Sequence, residues 1–208
     1  MDKRDNYQIQ AAQAKQHFLT YDHQMLIGKL KLKSDNTYIY VKFLCQPHRL
    51  NRKNGDLERL QDNAWVDANS FEEVMTLLDL VCDSRPDRWL TGRWKSMGTF
   101  GLQFHQNLLE ERRNPTADRI QDNPEGFVRA CQELNGRKIS GCDIGYAIEL
   151  FDGLEIGLQF WFGDDEFYPR IRYLWDENAL QYIRYETMYF AVGLLTRRIQ
   201  ERMVQHEV

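Results

Sequence analysis

Ile144-Gly145-Tyr146-Ala147-Ile148-Glu149-Leu150-Phe151-Asp152-Gly153-Leu154-Glu155-Ile156-Gly157-Leu158-Gln159-Phe160-Trp161-Phe162 decides the fold. Ile144, Tyr146, Ile148 and Leu150 alternate on one side of an incoming strand, and Leu154, Ile156, Leu158, Phe160 and Phe162 do so on the outgoing one. Side chains in a strand point to opposite faces with period two, so register determines whether the two apolar sets share a face. A two-residue Asp152-Gly153 loop would pair Ile148 with Gly157 and throw the sets apart. A three-residue Phe151-Asp152-Gly153 loop pairs Ile148 with Ile156 and Leu150 with Leu154, with Gly153 supplying the left-handed residue that such a loop needs. The second arrangement is the expected one.

Working outward, Arg170 to Trp175 alternates Ile171, Tyr173 and Trp175 and reads as a third strand of the same sheet. Beyond it, residues 185–203 place Met188, Val192, Leu195, Ile199 and Met203 on one helical stripe, with Glu186 near the start and Arg197, Arg198 and Arg202 near the end, as the helix dipole favours. Upstream, Asp122 or Asn123 caps a helix with Pro124 at its first position and Phe127, Ala130, Cys131 and Leu134 inside, and Gly136 is placed at the left-handed C-terminal position. Ser70 and Glu73 form a capping box ahead of Phe71, Val74, Leu78 and Val81. Thr37 to Leu44 is a strand, Pro47 ends it or marks an edge, and a second strand at 48–51 turns at Asn54-Gly55. A first helix is expected after Asp5 or Asn6, with Tyr7, Ala11, Ala14 and Phe18 inward, and a short second one around Leu26 to Leu30. Residues 89–104 read as a long aromatic loop, followed by a helix over 102–112. The expectation is α+β: one domain over residues 1–208, with a small, mainly antiparallel sheet (hairpin 144–162 plus strand 170–175) packed against several helices.

The 208 residues suffice for one sizeable core, and 42% hydrophobic with 28% charged residues is the mix of a water-soluble globular protein. A net charge of −4 with no basic stripe argues against a general nucleic-acid binder. The first residues carry no apolar signal-peptide core, and no apolar run approaches the ~20 residues of a membrane span. The expected location is the cytoplasm, with no membrane partner. Cys45, Cys82, Cys131 and Cys142 are scattered and form no C-x-x-C pair, as befits reduced, packed thiols.

Two segments are candidates for chemistry. Arg85, Arg88, Arg93, Lys95, Arg112 and Arg113 interleave with Trp89, Trp94, Phe100 and Phe104. That pattern suits a small anionic or aromatic ligand, held by ion pairs and stacking, or simply basic stems lying over buried rings. Trp89, Arg93, Trp94, Phe104 and His105 are the candidate binding residues. The turn Gly163-Asp164-Asp165-Glu166-Phe167 holds the densest carboxylates, and Asp164, Asp165 and Glu166 are candidate ligands for a hard cation such as Mg²⁺ or Ca²⁺. A solvated turn blunting a sheet edge is the plainer reading. The turn is not that of a diguanylate cyclase, because Asp164 stands where the second glycine belongs. No phosphate-binding glycine loop, nucleophile elbow or histidine pair occurs.

Trp161-Phe162-Gly163-Asp164-Asp165-Glu166-Phe167-Tyr168-Pro169, Leu174-Trp175-Asp176, Glu186 and Leu90-Thr91-Gly92-Arg93-Trp94 together resemble an uncharacterised bacterial and archaeal family. It is a domain of unknown function, found mainly in anaerobes and sometimes fused to or encoded near iron–sulfur and corrinoid proteins. Trp175 departs from the Phe expected before the Asp. The resemblance covers most of the chain from about Tyr38. It implies an accessory role in anaerobic cofactor or one-carbon metabolism, with an iron–sulfur or corrinoid protein as partner. Three readings follow: a non-catalytic accessory or ligand-binding protein using the aromatic loop and the acidic turn as one rim, a metal-dependent enzyme with His105 as acid or base, and a protein-interaction module.

Overall fold

The computed structural model describes residues 3–100 and 113–204. Its backbone forms two compact units: Met1–Trp89 with Leu180–Ala191, and Leu90–Ala179 with Val192–Val208. Each unit carries one antiparallel five-stranded sheet, so the α+β expectation holds and the described residues contain a second sheet beyond the expected one. Among the described residues no helix is long and apolar enough to cross a membrane.

In the first unit, α1 (Lys3–Leu19) and α2 (His23–Leu30) precede a meander of β1 (Lys33–Ser34), β2 (Tyr38–Phe43), β3 (Gln46–Asn51), β4 (Leu57–Gln61) and β5 (Ala64–Asp67), and α3 (Phe71–Asp83) follows. Helix α1 is already formed at Lys3, upstream of the expected cap, and of its expected inner stripe only Phe18 is fully buried. Asp22 caps α2 by accepting from the amides of Gln24 and Met25. Pro47 is the second residue of β3 rather than the end of a strand; it lies opposite Lys42 and outside the β3–β4 ladder, an edge position where its missing N–H costs little. Gly55, at φ +74, makes the expected turn before β4. The β4–β5 hairpin escaped the sequence reading. Asp62 and Asn63 turn it with positive φ at both positions, but Leu57 to Gln61 shows no clean alternation. The capping box forms, with the Glu73 amide donating to Ser70 Oγ at 3.3 Å. The Glu73 carboxylate reaches back to the Ser70 hydroxyl and also pairs with Arg59 at 3.3 Å.

In the second unit, β6 (Trp94–Ser96), α4 (Pro115–Asp122), α5 (Pro124–Glu133), β7 (Arg137–Lys138), β8 (Ile144–Phe151), β9 (Leu154–Trp161) and β10 (Arg170–Asp176) give a sheet of order β6-β10-β9-β8-β7. Ile148 pairs with Ile156 as expected, yet the loop differs. Phe151 pairs with Leu154 around a two-residue Asp152-Gly153 turn with φ +49 and +81, and a bulge between Glu149 and Phe151 absorbs the extra residue. The tighter turn matches strand twist, and the bulge restores the shared face. Three rows then cross the buried face: Ile144–Phe160–Ile171, Tyr146–Leu158–Tyr173 and Ile148–Ile156–Trp175. Phe127 of α5 packs edge-on to Tyr146, with ring centroids 6.5 Å apart. Asn135, at φ +53, takes the left-handed position expected of Gly136; Gly136 is instead needed because a Cβ there would lie 2.7 Å from the Cys131 carbonyl. Helix α6 (Tyr185–Val204) buries its whole expected stripe.

Candidate functional site

Asp176 ends β10, almost fully buried, and its carboxylate holds the segment that precedes β6. It accepts from the Thr91 amide at 3.1 Å, the Thr91 hydroxyl at 3.2 Å, the Gly92 amide at 2.7 Å and the Asn178 amide at 2.8 Å. Gly92 sits at φ +72 with open space where a Cβ would project, so backbone conformation alone selects glycine. The Leu90–Trp94 and Leu174–Asp176 stretches, read separately in sequence, are therefore two halves of one clamp. It seats β6 on the sheet edge, with Trp94 opposite Asp176 and Lys95 opposite Trp175. The next residue, Glu177, pairs with Arg93 at 2.5 Å and Lys95 at 2.7 Å, and the Lys95 contact is the first cause of its depressed carboxyl pKa.

Of the expected binding residues, Trp89 belongs to the first unit, where its amide donates to Gln181 and its ring is 58% exposed. Arg93 and Trp94 belong to the second. Phe104 and His105 lie outside the described residues.

The acidic turn occupies the other end of β10. The strand is seven residues long, so the turn and the Asp176 clamp are ~20 Å apart at the usual rise per residue and do not form one rim. Asp164 Oδ1 accepts from the amides of Glu166 and Phe167, both at 2.8 Å, and these bonds hold its pKa below the ordinary carboxylate value. A Cβ on Gly163 would lie 2.6 Å from the Pro169 nitrogen, so glycine is required by close approach. Asp165 and Glu166 are exposed. Among the described residues no three His, Cys, Asp or Glu side chains group as a metal site would require. One of the three carboxylates thus closes the turn itself.

A cleft of about 500 Å³ lies on the second unit's sheet, lined by Trp94, Arg137, Lys138, Ile139, Ser140, Gln159 and Leu174. Gly157, in the middle of β9 between Ala147 and Leu174, lies beneath the cleft, covered by three of its lining residues. A Cβ at Gly157 would meet Leu174 Cβ at 3.0 Å, the Trp94 ring at 3.4 Å and Ile139 Cδ1 at 3.5 Å. Glycine inside a strand weakens the sheet and marks a place where something approaches closely. Around this apolar floor stand Lys138, Arg137 (paired to Glu155 at 2.6 Å) and the Gln159 carboxamide, which donates to the Ser140 carbonyl at 3.0 Å. Trp94 is the one cleft residue that the sequence marks as a candidate for binding, and Leu174 enters only through the Leu174-Trp175-Asp176 signature.

Fold and cleft together define an α+β protein with a small, cation-rimmed, aromatic-walled recess on an antiparallel sheet. The chain belongs to the family described as a domain of unknown function (DUF3786), whose model matches residues 22–198. No curated protein and no solved structure matches it.

Proposed function

We propose that this protein is a non-catalytic accessory protein that binds a small anion with a planar or apolar body in the Trp94 cleft. The observation that carries the reading is the lining of the cleft, which brings the Trp94 ring together with the cations of Lys138 and Arg137 and the polar atoms of Gln159 and Ser140. The indole offers a stacking face, the two cations offer charge, and Gln159 and Ser140 offer polar atoms for orientation. None of these is an activated nucleophile or a base paired to one, which favours binding over catalysis. Calorimetric titration with phenyl phosphate tests it. Wild-type protein binds, Lys138→Glu weakens binding at least tenfold and Trp94→Leu removes the stacking share. Heat signals that are unchanged in both variants would overturn the reading.

The setting implied by the family resemblance belongs to the same proposal: a cytoplasmic protein of anaerobic cofactor or one-carbon metabolism, working beside an iron–sulfur or corrinoid protein. A second reading, an interaction module, is favoured by Phe167 and Tyr168, each 69% exposed, with Phe162 beside them on the acidic turn. Substituting Phe167 and Tyr168 by Ser would then abolish co-purification with a partner while leaving phenyl phosphate binding intact.

A further inference from the structure

The connection from β9 to β10 presents two unlike lobes side by side. One is the turn itself: Phe162 is 48% exposed, Phe167 and Tyr168 are each 69% exposed, and Asp165 and Glu166 stand in solvent beside them. The other is a cationic patch where β9 ends and β10 starts. Arg170 lies opposite Trp161 on the outer face of the sheet, since the next pair along, Ile171 and Phe160, is buried. The Arg170 guanidinium sits 4.7 Å from the centre of the Trp161 indole, and that of Arg172 5.3 Å from the same ring. An arginine stacked in this way still has in-plane N–H donors to offer a carboxylate.

The opposite charges do not meet within the chain. Among the described residues Asp165, Glu166 and Arg170 make no ion pair, although the turn runs directly into Arg170. The turn's backbone is fixed in a shape that keeps them apart. Besides the two bonds to Asp164 Oδ1, the Asp164 amide donates to the Phe167 carbonyl at 2.9 Å. The Gly163 amide donates to Gln121 Oε1 at 2.7 Å and the Phe162 amide to Asp143 Oδ2 at 2.8 Å. A surface ordered in advance loses little entropy when it is covered. At ~200 Å² for a whole aromatic side chain, the exposed parts of the three rings come to about 370 Å², near half of the ~800 Å² per partner of a standard interface.

We propose that this connection is a self-association surface, on which the acidic, aromatic turn of one copy lies against the Trp161–Arg170–Arg172 patch of a second copy of this chain. About a twofold axis the same contact forms twice, so a surface carrying an acidic and a basic lobe side by side is complementary to itself. Asp165 and Glu166 of each copy then meet Arg170 of the other, and Phe167 and Tyr168 leave water. The inference rests on the interaction reading of the turn given above and names its partner.

Sedimentation velocity on the full chain over roughly 1–100 μM tests it. The expected result is a concentration-dependent shift from the 24.8 kDa monomer to twice that mass, weakened by added salt. Arg170→Glu sets an acidic turn against an acidic patch, and Asp165→Arg with Glu166→Arg sets basic against basic. Each variant alone should dimerise at least about tenfold more weakly than wild type, because like charges then meet in both copies of the contact. Mixed one to one, the two variants should dimerise again, since each contact then joins opposite charges; that recovery also shows that both are folded. A wild-type protein that stays monomeric throughout, or a mixture no more dimeric than its components, overturns the proposal. A monomeric wild type whose co-purification with a different protein is still lost on substituting Phe167 and Tyr168 by Ser overturns self-association alone and leaves the interaction reading standing.

Discussion

Replacing Asp176 by alanine removes the acceptor shared by the Thr91 amide and hydroxyl, the Gly92 amide and the Asn178 amide. A buried donor that loses its partner costs about 1–3 kcal/mol, more where the lost partner was charged, and water can reach part of this site. Three stranded amides at the lower end of that range give a loss of about 3–4 kcal/mol. For a chain of this length each kcal/mol moves the melting temperature by about 2–4 °C, so Asp176→Ala should melt about 6–16 °C below wild type. Asp176→Asn keeps one acceptor oxygen and loses the charge, and should fall between, at about 1.5–2.5 kcal/mol. Urea denaturation gives the energies, and amide hydrogen exchange gives the location, since protection should vanish at Thr91, Gly92 and Asn178 first. A loss under about 1 kcal/mol in Asp176→Ala, or retained protection at those amides, would refute the reasoning that the two signature stretches form one clamp.

Four further outcomes follow from the geometry. Gly92→Ala should cost about 1–2 kcal/mol by forcing a side chain into the left-handed region, with Gly92→Asn costing less; urea midpoints check both. Asp164 should titrate below the ordinary ~3.9, so its contribution to stability is present above the unfolded-state value and lost as pH falls through the lower native one; a carboxyl ¹³C titration midpoint at or above ~3.9 would contradict this. Gly157→Val should cost about 1–3 kcal/mol through overpacking against Leu174 and Trp94, and should abolish phenyl phosphate binding. Burial pushes the Cys82 thiol up to about 12 and raises that of Cys131, so both should resist aromatic disulfide reagents until the protein unfolds, while the half-buried Cys45 and Cys142 react sooner.

Much of the second unit was legible because its hairpin has strict period-two alternation and its last helix a clean apolar stripe. The Ile148–Ile156 register follows from requiring one shared face, whichever turn achieves it. The turn itself was not legible, since a bulge costs the sequence nothing visible. Strand β6 was missed because three residues, Trp94 to Ser96, show no period; its place is dictated by Asp176, 80 residues later. The cleft was only partly legible for the same reason. Trp94 stood out by type, but Lys138, Ile139 and Gln159 reach it through strand pairing that no local pattern encodes. The acidic turn illustrates the reverse: its carboxylates drew notice as metal ligands, while Asp164 is spent on the turn's own backbone.

Ligand binding in the Trp94 cleft is tested most directly by a ¹H–¹⁵N titration of the wild-type protein with phenyl phosphate against benzylamine. Saturable shifts at the Trp94 indole N–H and the Gly157 and Lys138 amides, with phenyl phosphate and not benzylamine, are the expected result. No shift at those three positions, or equal shifts with both probes, would contradict it.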